Sequence, residues 1–340
     1  MSAVNAALAE VLRARDVDVN ELNTASPSID RTIKSVFVRA LRFARVVIRV
    51  ATLQRATSAV HVSVSGGLGQ LFEVAVALHV RMRGLTLVLH HHSYAYATAF
   101  SRVTWLLTRV AGNRAIHVVL CPDHGARLSA LYAIPEQNLQ ILDNSLFVSN
   151  GVSNRSTRFG LKHVGFLSNL LWSKGVDTYL DVVGRVRHRG FDVVGIIAGG
   201  HADAAVSELL SKLPEGGTIE QRGPVYGSAK DAFFDDIDVL LFPTRYANET
   251  APMVIYEAMA RGIPVLATDR GCIREMVASA DRLTANSEFP DFASEQIASW
   301  CADDAMFARA QREAAAVFDR HLETARGQLL ELIDRYGKRA

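Results

Sequence analysis

Short, unbroken apolar runs recur along the chain, each closed by glycine, proline or polar residues, and between them lie stretches whose apolar side chains repeat every three or four positions. A continuous apolar run suits a strand buried on both faces, and the wider spacing suits an amphipathic helix. The alternation therefore predicts strand–helix units and parallel sheets, an α/β fold. Predicted strands cover 17–22, 60–64, 85–89, 116–120, 139–142, 163–167, 193–198, 219–222, 239–242 and 263–267. Predicted helices cover 4–14, 30–55, 71–82, 123–132, 176–188, a segment ended by Gly262, and most of 291–336. Ser149 to Arg158 has no apolar period and reads as a linker. The expected division is an amino-terminal domain over 1–148, a linker over 149–160 and a carboxy-terminal domain over 161–340.

The pattern carries most information between Leu240 and Val277. Val239 to Phe242 is a buried strand closed by Pro243, so a polar loop leaves its carboxyl end, where open α/β sheets bind ligands. Thr250 or Asn248 is placed to cap the next helix and Pro252 suits its first turn, while Val254, Ile255, Ala258 and Met259 form its apolar face. Glu249 falls on the loop and Glu257 on the helix, whose free N–H groups and positive dipole suit a diphosphate. Val60 to Val64, the glycine turn with Gly66 and Gly67, and the helix over 71–82 form a second strand–turn–helix unit. It lacks the third glycine and the following acid of a dinucleotide fingerprint.

The strand over 85–89 runs into His90-His91-His92. Strand alternation predicts that His90 and His92 project together and His91 opposite. A metal site would need a nearby Asp, Glu or Cys, which this stretch lacks.

Composition narrows the classes. With 49% hydrophobic and 21% charged residues in 340, the chain is globular with room for two domains, and no apolar run reaches membrane-spanning length. Cys121, Cys272 and Cys301 are too dispersed for a disulfide framework or zinc cluster, which agrees with a reducing, cytoplasmic location. The net charge of +2 divides unevenly, +6 over 1–150 and −4 over 151–340, so the first half is expected to meet something anionic. In the helix over 30–55, Arg39, Arg42, Arg45 and Arg49 recur every three or four residues, with Ile33, Phe37, Leu41, Ala44 and Ile48 on another face. Two readings fit: a core-packed helix with a solvated basic face, or peripheral contact with an anionic membrane.

The acids Glu249 and Glu257, with seven residues between them and followed by Ala258-Met259-Ala260-Arg261-Gly262-Ile263-Pro264-Val265, resemble the nucleotide-sugar motif of family 4 glycosyltransferases. That family has the GT-B fold, two facing Rossmann-like domains with parallel sheets. The resemblance implies that Glu249 contacts the donor sugar's hydroxyls and that Glu257 holds the nucleotide ribose, with Asn248, Thr250, Ala251 and Pro252 among the donor contacts. Lys174-Gly175 resembles the family's helix-opening lysine-glycine, which implies that Lys174 contacts the donor diphosphate. Gly199 and Gly200 after one strand, and Pro224 and Val225 in the loop beside the base, complete the implied donor site. A strand ending in His-x-His faces the donor sugar in the family, a role implied for His92 first and His90 second, while Gly66 and Gly67 fall on the acceptor side.

Family 4 enzymes retain anomeric configuration. The resemblance thus implies front-face displacement, with the leaving diphosphate taking the acceptor's proton and with His92, Lys174 and Glu249 as the catalytic groups. No cofactor or metal is expected, since the UDP- or GDP-sugar is a co-substrate. The acceptor is a glycan, a lipid-linked or a small molecule, as in polysaccharide biosynthesis, and no nucleic acid is expected. The family often has an arginine after the glycine of the second domain's first strand, where this chain has Phe166. That departure keeps open a GT-B-like protein that binds a sugar nucleotide or a partner without transfer. A GT-B amino domain also opens with a strand and a glycine-rich loop, whereas Met1 to Asn5 already follow a helical period, so the first strand is expected to be missing and the true start to lie upstream.

Overall fold

The computed structural model describes residues 3–22, 41–42, 45–46, 48–50, 59–148, 158–200, 203–214, 216–277 and 283–337. It divides into two compact units, Met1–Phe147 with Thr324–Ala340, and Val148–Glu323.

The first unit begins with α1 (Ala3–Arg13) and continues through β1 (Ala59–Val64), α2 (Gln70–Met82), β2 (Thr86–His91), α3 (Arg102–Ala111), β3 (Ile116–Val119), α4 (Pro122–Tyr132) and β4 (Leu139–Ile141). Its four strands lie in the order β1-β2-β3-β4, every pair parallel. Parallel pairing leaves both sheet faces to be covered, and β2 and β3 are buried along their whole length, as unbroken apolar runs require.

Residues 17–22 correct the expected strand there. The alternating valines form no ladder, because the Arg13 guanidinium donates to the Val19 carbonyl at 3.1 Å and pairs with Glu21 at 2.6 Å, folding the segment back onto α1. Most of the helix expected over 30–55, Arg39 included, lies outside the described residues. Of those described, 41–42, 45–46 and 48–50 are helical, and Leu41 and Ile48 of the expected core face are 48% and 63% exposed.

The second unit runs through β5 (His163–Leu167), α5 (Val176–His188), β6 (Val194–Ala198), α6 (Ala204–Ser211), β7 (Ile219–Gln221), α7 (Ser228–Asp236), β8 (Val239–Phe242), α8 (Met253–Ala260), β9 (Val265–Thr268), α9 (Ile273–Val277), β10 (Leu283–Thr284), α10 (Phe289–Ala302) and α11 (Asp304–Gly337). The last residues of α11 belong to the first unit. All six strands are parallel, in the order β10-β9-β8-β5-β6-β7. The winding reverses between β5 and β8, the position at the sheet's carboxyl edge where open α/β sheets bind ligands. Phe166, Tyr179, Val182, Phe289, Trp300 and Phe307 belong to one buried cluster holding α5 and α10 to the sheet. The Tyr179 hydroxyl is satisfied inside it by donating to the Val164 carbonyl at 2.8 Å. Among the described residues, no helix is long and apolar enough to cross a membrane.

Candidate functional site

The loops after β5 and β8 carry the expected cation Lys174 and the acid Glu249. A 3₁₀ turn, Trp172–Lys174, follows β5 and ends at Gly175, whose φ is +81°. A Cβ on Gly175 would lie 2.2 Å from the Pro243 carbonyl oxygen, so the two loops close on each other only because this residue has no side chain. Lys174 Nζ donates to Glu249 Oε2 at 2.5 Å and stands 4.6 Å over the Tyr246 ring. Thr244 Oγ1 donates to the same carboxylate oxygen at 3.1 Å. Both charged side chains are nearly covered, 13% and 11% exposed, so each depends on the other for electrostatic compensation. Arg245 fixes the loop from outside, donating to both carboxylate oxygens of Asp177 at 2.9 and 2.5 Å.

Glu249 is also held from below. The Gly271 turn, at φ +52°, passes so close that a Cβ there would lie 2.2 Å from the Glu249 carbonyl oxygen, and Cys272 N–H donates to the Thr250 carbonyl at 2.8 Å. Neither Thr250 nor Asn248 caps α8, which corrects the sequence expectation: the capping residue is Pro252 itself, with extended backbone and no side-chain cap. Thr250 Oγ1 instead reaches the Asn248 carbonyl at 3.4 Å. Ala251 and Thr250 are buried and Asn248 is partly exposed.

Glu257 projects from the first part of α8. Its Oε1 accepts from Lys230 Nζ at 2.6 Å, and its buried Oε2 has no hydrogen-bond partner. An unmatched buried carboxylate oxygen is costly, and a ligand hydroxyl would remove the penalty. Gly199 and Gly200 follow β6: Gly199 N–H donates to the Gly223 carbonyl at 2.8 Å, and Leu170 N–H to the Gly200 carbonyl at 3.1 Å. Pro224 packs beside Gly200, Val225 is buried, and the neighbouring Tyr226 is 79% exposed. The second unit thus gathers Lys174, Gly199, Gly200, Pro224, Val225, Asn248, Glu249, Thr250, Ala251, Pro252 and Glu257 around one sheet edge.

Phe166 is not a side chain of that edge. It is 1% exposed and packs 5.3 Å from the Tyr179 ring inside β5. The exposed polar side chain beyond the strand's end is Asn169. Lys230 and Arg245, which hold Glu257 and the β8 loop, escaped the sequence reading because neither belongs to a motif. Each is a lone cation whose partner lies 27 or 68 residues away.

In the first unit the predicted alternation holds. His90 and His92 face one way with ring centroids 3.9 Å apart, while His91 turns to Tyr96 and His117. Two relays result: Tyr336 OH lies 2.7 Å from His61 Nδ1, whose Nε2 lies 3.2 Å from His90 Nδ1, and Tyr96 OH lies 3.1 Å from His91 Nδ1, whose Nε2 lies 3.0 Å from His117 Nδ1. Burial pushes His92, His117 and His124 down to about 4, and His61, burdened also by the charge His92 would carry, to about 3. His90 Nε2 and both nitrogens of His124 are buried without a partner. The imidazoles are therefore neutral donors or acceptors near pH 7. Gly66 and Gly67 are exposed, and a Cβ on Gly66 would lie 3.6 Å from Ser93 Oγ, which places this turn beside the loop that follows the histidines.

Two Rossmann-like units, each built on a parallel sheet, define the GT-B fold, and solved structures with that fold superpose on the chain. TarM covers 87% of it at TM-score 0.68 and 17% identity, and the chain spans 58% of TarM. Sucrose-phosphate synthase of Thermosynechococcus elongatus gives 0.67 at 14% identity, with 94% of this chain and 84% of that one covered. Anabaena HepE in complex with UDP and glucose gives 0.65 at 17%, with 96% and 88% covered. Residues 161–303 match the family model described as Glycosyl transferases group 1. No curated protein sequence matches the chain.

Proposed function

We propose that the chain is a retaining glycosyltransferase that moves a sugar from a nucleotide-sugar donor to a glycan, lipid-linked or small-molecule acceptor. The observation that carries this reading is the Lys174–Glu249 pair at the point where the second sheet reverses its winding, inside the family-matched segment. The donor diphosphate would draw Lys174 off Glu249, and the ammonium together with the first N–H groups of α8 would stabilise charge as it develops on the leaving group. Glu249, released, accepts from donor-sugar hydroxyls, and Glu257 Oε2 takes the ribose hydroxyls its present environment leaves unmatched. The resemblance assigns the donor sugar to His92 first and His90 second, and the acceptor side to Gly66 and Gly67; neutral imidazoles suit such hydrogen bonds.

Front-face displacement fits this set of groups, because the departing diphosphate itself takes the acceptor's proton and no second carboxylate is needed across the anomeric carbon. Neither a metal nor a cofactor takes part in this reading. HepE is solved with UDP and glucose, and the pneumococcal O-GlcNAc transferase GtfA with UDP and GlcNAc, which makes UDP-sugars the first donors to test. Arg42, Arg45 and Arg49 supply the basic surface for an anionic membrane, where a lipid-linked acceptor would reside.

The deciding experiment incubates the protein with UDP- and GDP-sugars and follows both thermal stabilisation and release of the nucleoside diphosphate. Stabilisation with slow donor hydrolysis is expected. Stabilisation without any release would identify a binding protein, and the absence of both would refute the donor site.

A further inference from the structure

At the amino-terminal edge of the first unit's sheet, away from the strand ends that carry the histidines, lies a cavity of about 530 Å³. Its volume is that of a small-molecule site. Leu85, Ile134 and Pro135 give it apolar wall, and three guanidinium groups, Arg81, Arg109 and Arg114, line it. Among the described residues no carboxylate lines it. Elsewhere arginines meet acids: Arg127 meets Asp123, Arg222 meets Glu220 and Asp236, and Arg261 meets Asp231. Arg81, Arg109 and Arg114 make no ion pair among the described residues.

Two of the three are held in place. Arg81 Nη1 donates to the carbonyls of Arg109 and Val110 at 3.4 and 3.2 Å, at the end of α3, which leaves its other N–H groups for a ligand. Arg109 stands 5.7 Å over the Trp105 ring. Three like charges around one concavity repel one another, and the arrangement is relieved by an anion. A tetrahedral, multiply charged group has more acceptor oxygens and more charge than a carboxylate to offer several guanidinium forks at once. The apolar wall of Leu85, Leu87, Ile134 and Pro135 offers contact area that inorganic phosphate would not use.

We propose that this cavity is a second ligand site, taking the phosphate group of a phosphorylated molecule with an apolar body. It is independent of the donor site, which lies in the other unit, and of the chain's catalytic activity.

The test is calorimetric titration of the full chain with two probes, dihexanoyl phosphatidic acid below its micelle concentration and inorganic phosphate. The proteins compared are the parent, Arg109→Gln/Arg114→Gln, and Arg309→Gln as an exposed-arginine control. Neither Arg109 nor Arg114 donates a side-chain hydrogen bond within the described residues, so the double variant should fold, which circular dichroism checks. At least a ten-fold loss of affinity in the double variant, about 1.4 kcal/mol, is expected because two charge-assisted donors are removed, with no loss in the control. Tighter binding of the amphiphile than of inorganic phosphate is expected, and equal affinity for the two probes would overturn the apolar body. Binding of the amphiphile alone, extended to vesicles containing phosphatidic acid, assigns it to a lipid headgroup. Failure of both probes to bind at millimolar concentration, or equal binding by the double variant, overturns the proposal.

Discussion

Lys174 Nζ and Glu249 Oε2 stand 2.5 Å apart although 75 residues separate them in the chain. Each side chain projects from a different strand's loop, and both are almost covered, so neither charge is stable there alone. On the proposed function, a donor diphosphate would compete with Glu249 for the ammonium. Lys174→Ala should therefore lower turnover by roughly 10²–10³-fold while changing the Michaelis constant for donor much less, because charge on the leaving group grows toward the transition state. Steady-state kinetics decide it. An effect confined to the Michaelis constant would assign Lys174 to ground-state binding only.

Glu257 Oε2 is buried and unmatched, and Lys230 holds the other oxygen. Glu257→Gln should weaken UDP binding about ten-fold, the order expected for a hydrogen bond to a charged group. The same variant should abolish any preference for UDP over its 2′,3′-dideoxy analogue. Retention of that preference, measured by calorimetry, would remove Glu257 from the ribose site.

Gly271→Ala places a methyl 2.2 Å from the Glu249 carbonyl oxygen on a backbone at φ +52°. Strain of this kind costs about 1–3 kcal/mol before the clash is counted. The variant should unfold at lower denaturant and lose donor affinity together, since the same turn supports Glu249. Unchanged denaturation midpoint and unchanged affinity would show that the turn relaxes freely.

Phe166→Arg tests whether the family's arginine can be restored at this position. The side chain packs against Tyr179 at 1% exposure, so the substitution buries a charge without a partner. It should destabilise the second unit by several kcal/mol and restore no diphosphate contact. Urea denaturation together with donor affinity provides the readout, and a stable variant with tighter donor binding would contradict the placement.

The histidines make the first unit acid-sensitive. Their folded values lie below the unfolded value near 6.5, about 4 for His92, His117 and His124 and about 3 for His61. Between these limits the unfolded chain binds more protons, so stability is full above about pH 6.5 and falls as pH drops toward 4. Each such histidine contributes about 1.4 kcal/mol per pH unit in that window. Denaturation midpoints at pH 7, 6 and 5 should fall, and His117→Gln should flatten the dependence. A pH-independent midpoint would mean that the unit admits protonated imidazole.

The elements most legible in the sequence were those whose apolar period is unbroken. Val176–His188 and His163–Leu167 fall where the pattern places them, and β8, α8 and β9 fall within two or three residues of it. Local hydrophobic spacing decides such elements because a strand or helix buried along one face has few other ways to hide that face. The placement of Lys174 and Glu249 on loops after strands, and of Glu257 on the helix, was legible for a related reason: the glycines and prolines that close each apolar run mark where the loops begin. The side-chain alternation of His90, His91 and His92 was likewise contained in the pleat.

What the chain alone could not supply were partners distant in sequence. The alternation over 17–22 reads as a strand, yet among the described residues no strand pairs with it, and Arg13 donates to its Val19 carbonyl instead. Asn248 and Thr250 look like caps, but the Gly271 turn claims the Thr250 carbonyl and leaves Pro252 to begin the helix. Phe166 aligns with a functional position, and only the packing of α5 over β5 turns its ring inward. Lys230 on Glu257, and His61 and His117 around the histidine triplet, are likewise set by strand order and helix packing. Sequence determines the local period and the types of residue at each loop; which loops meet is decided by the order in which parallel strands pair, and that order is a property of the whole core.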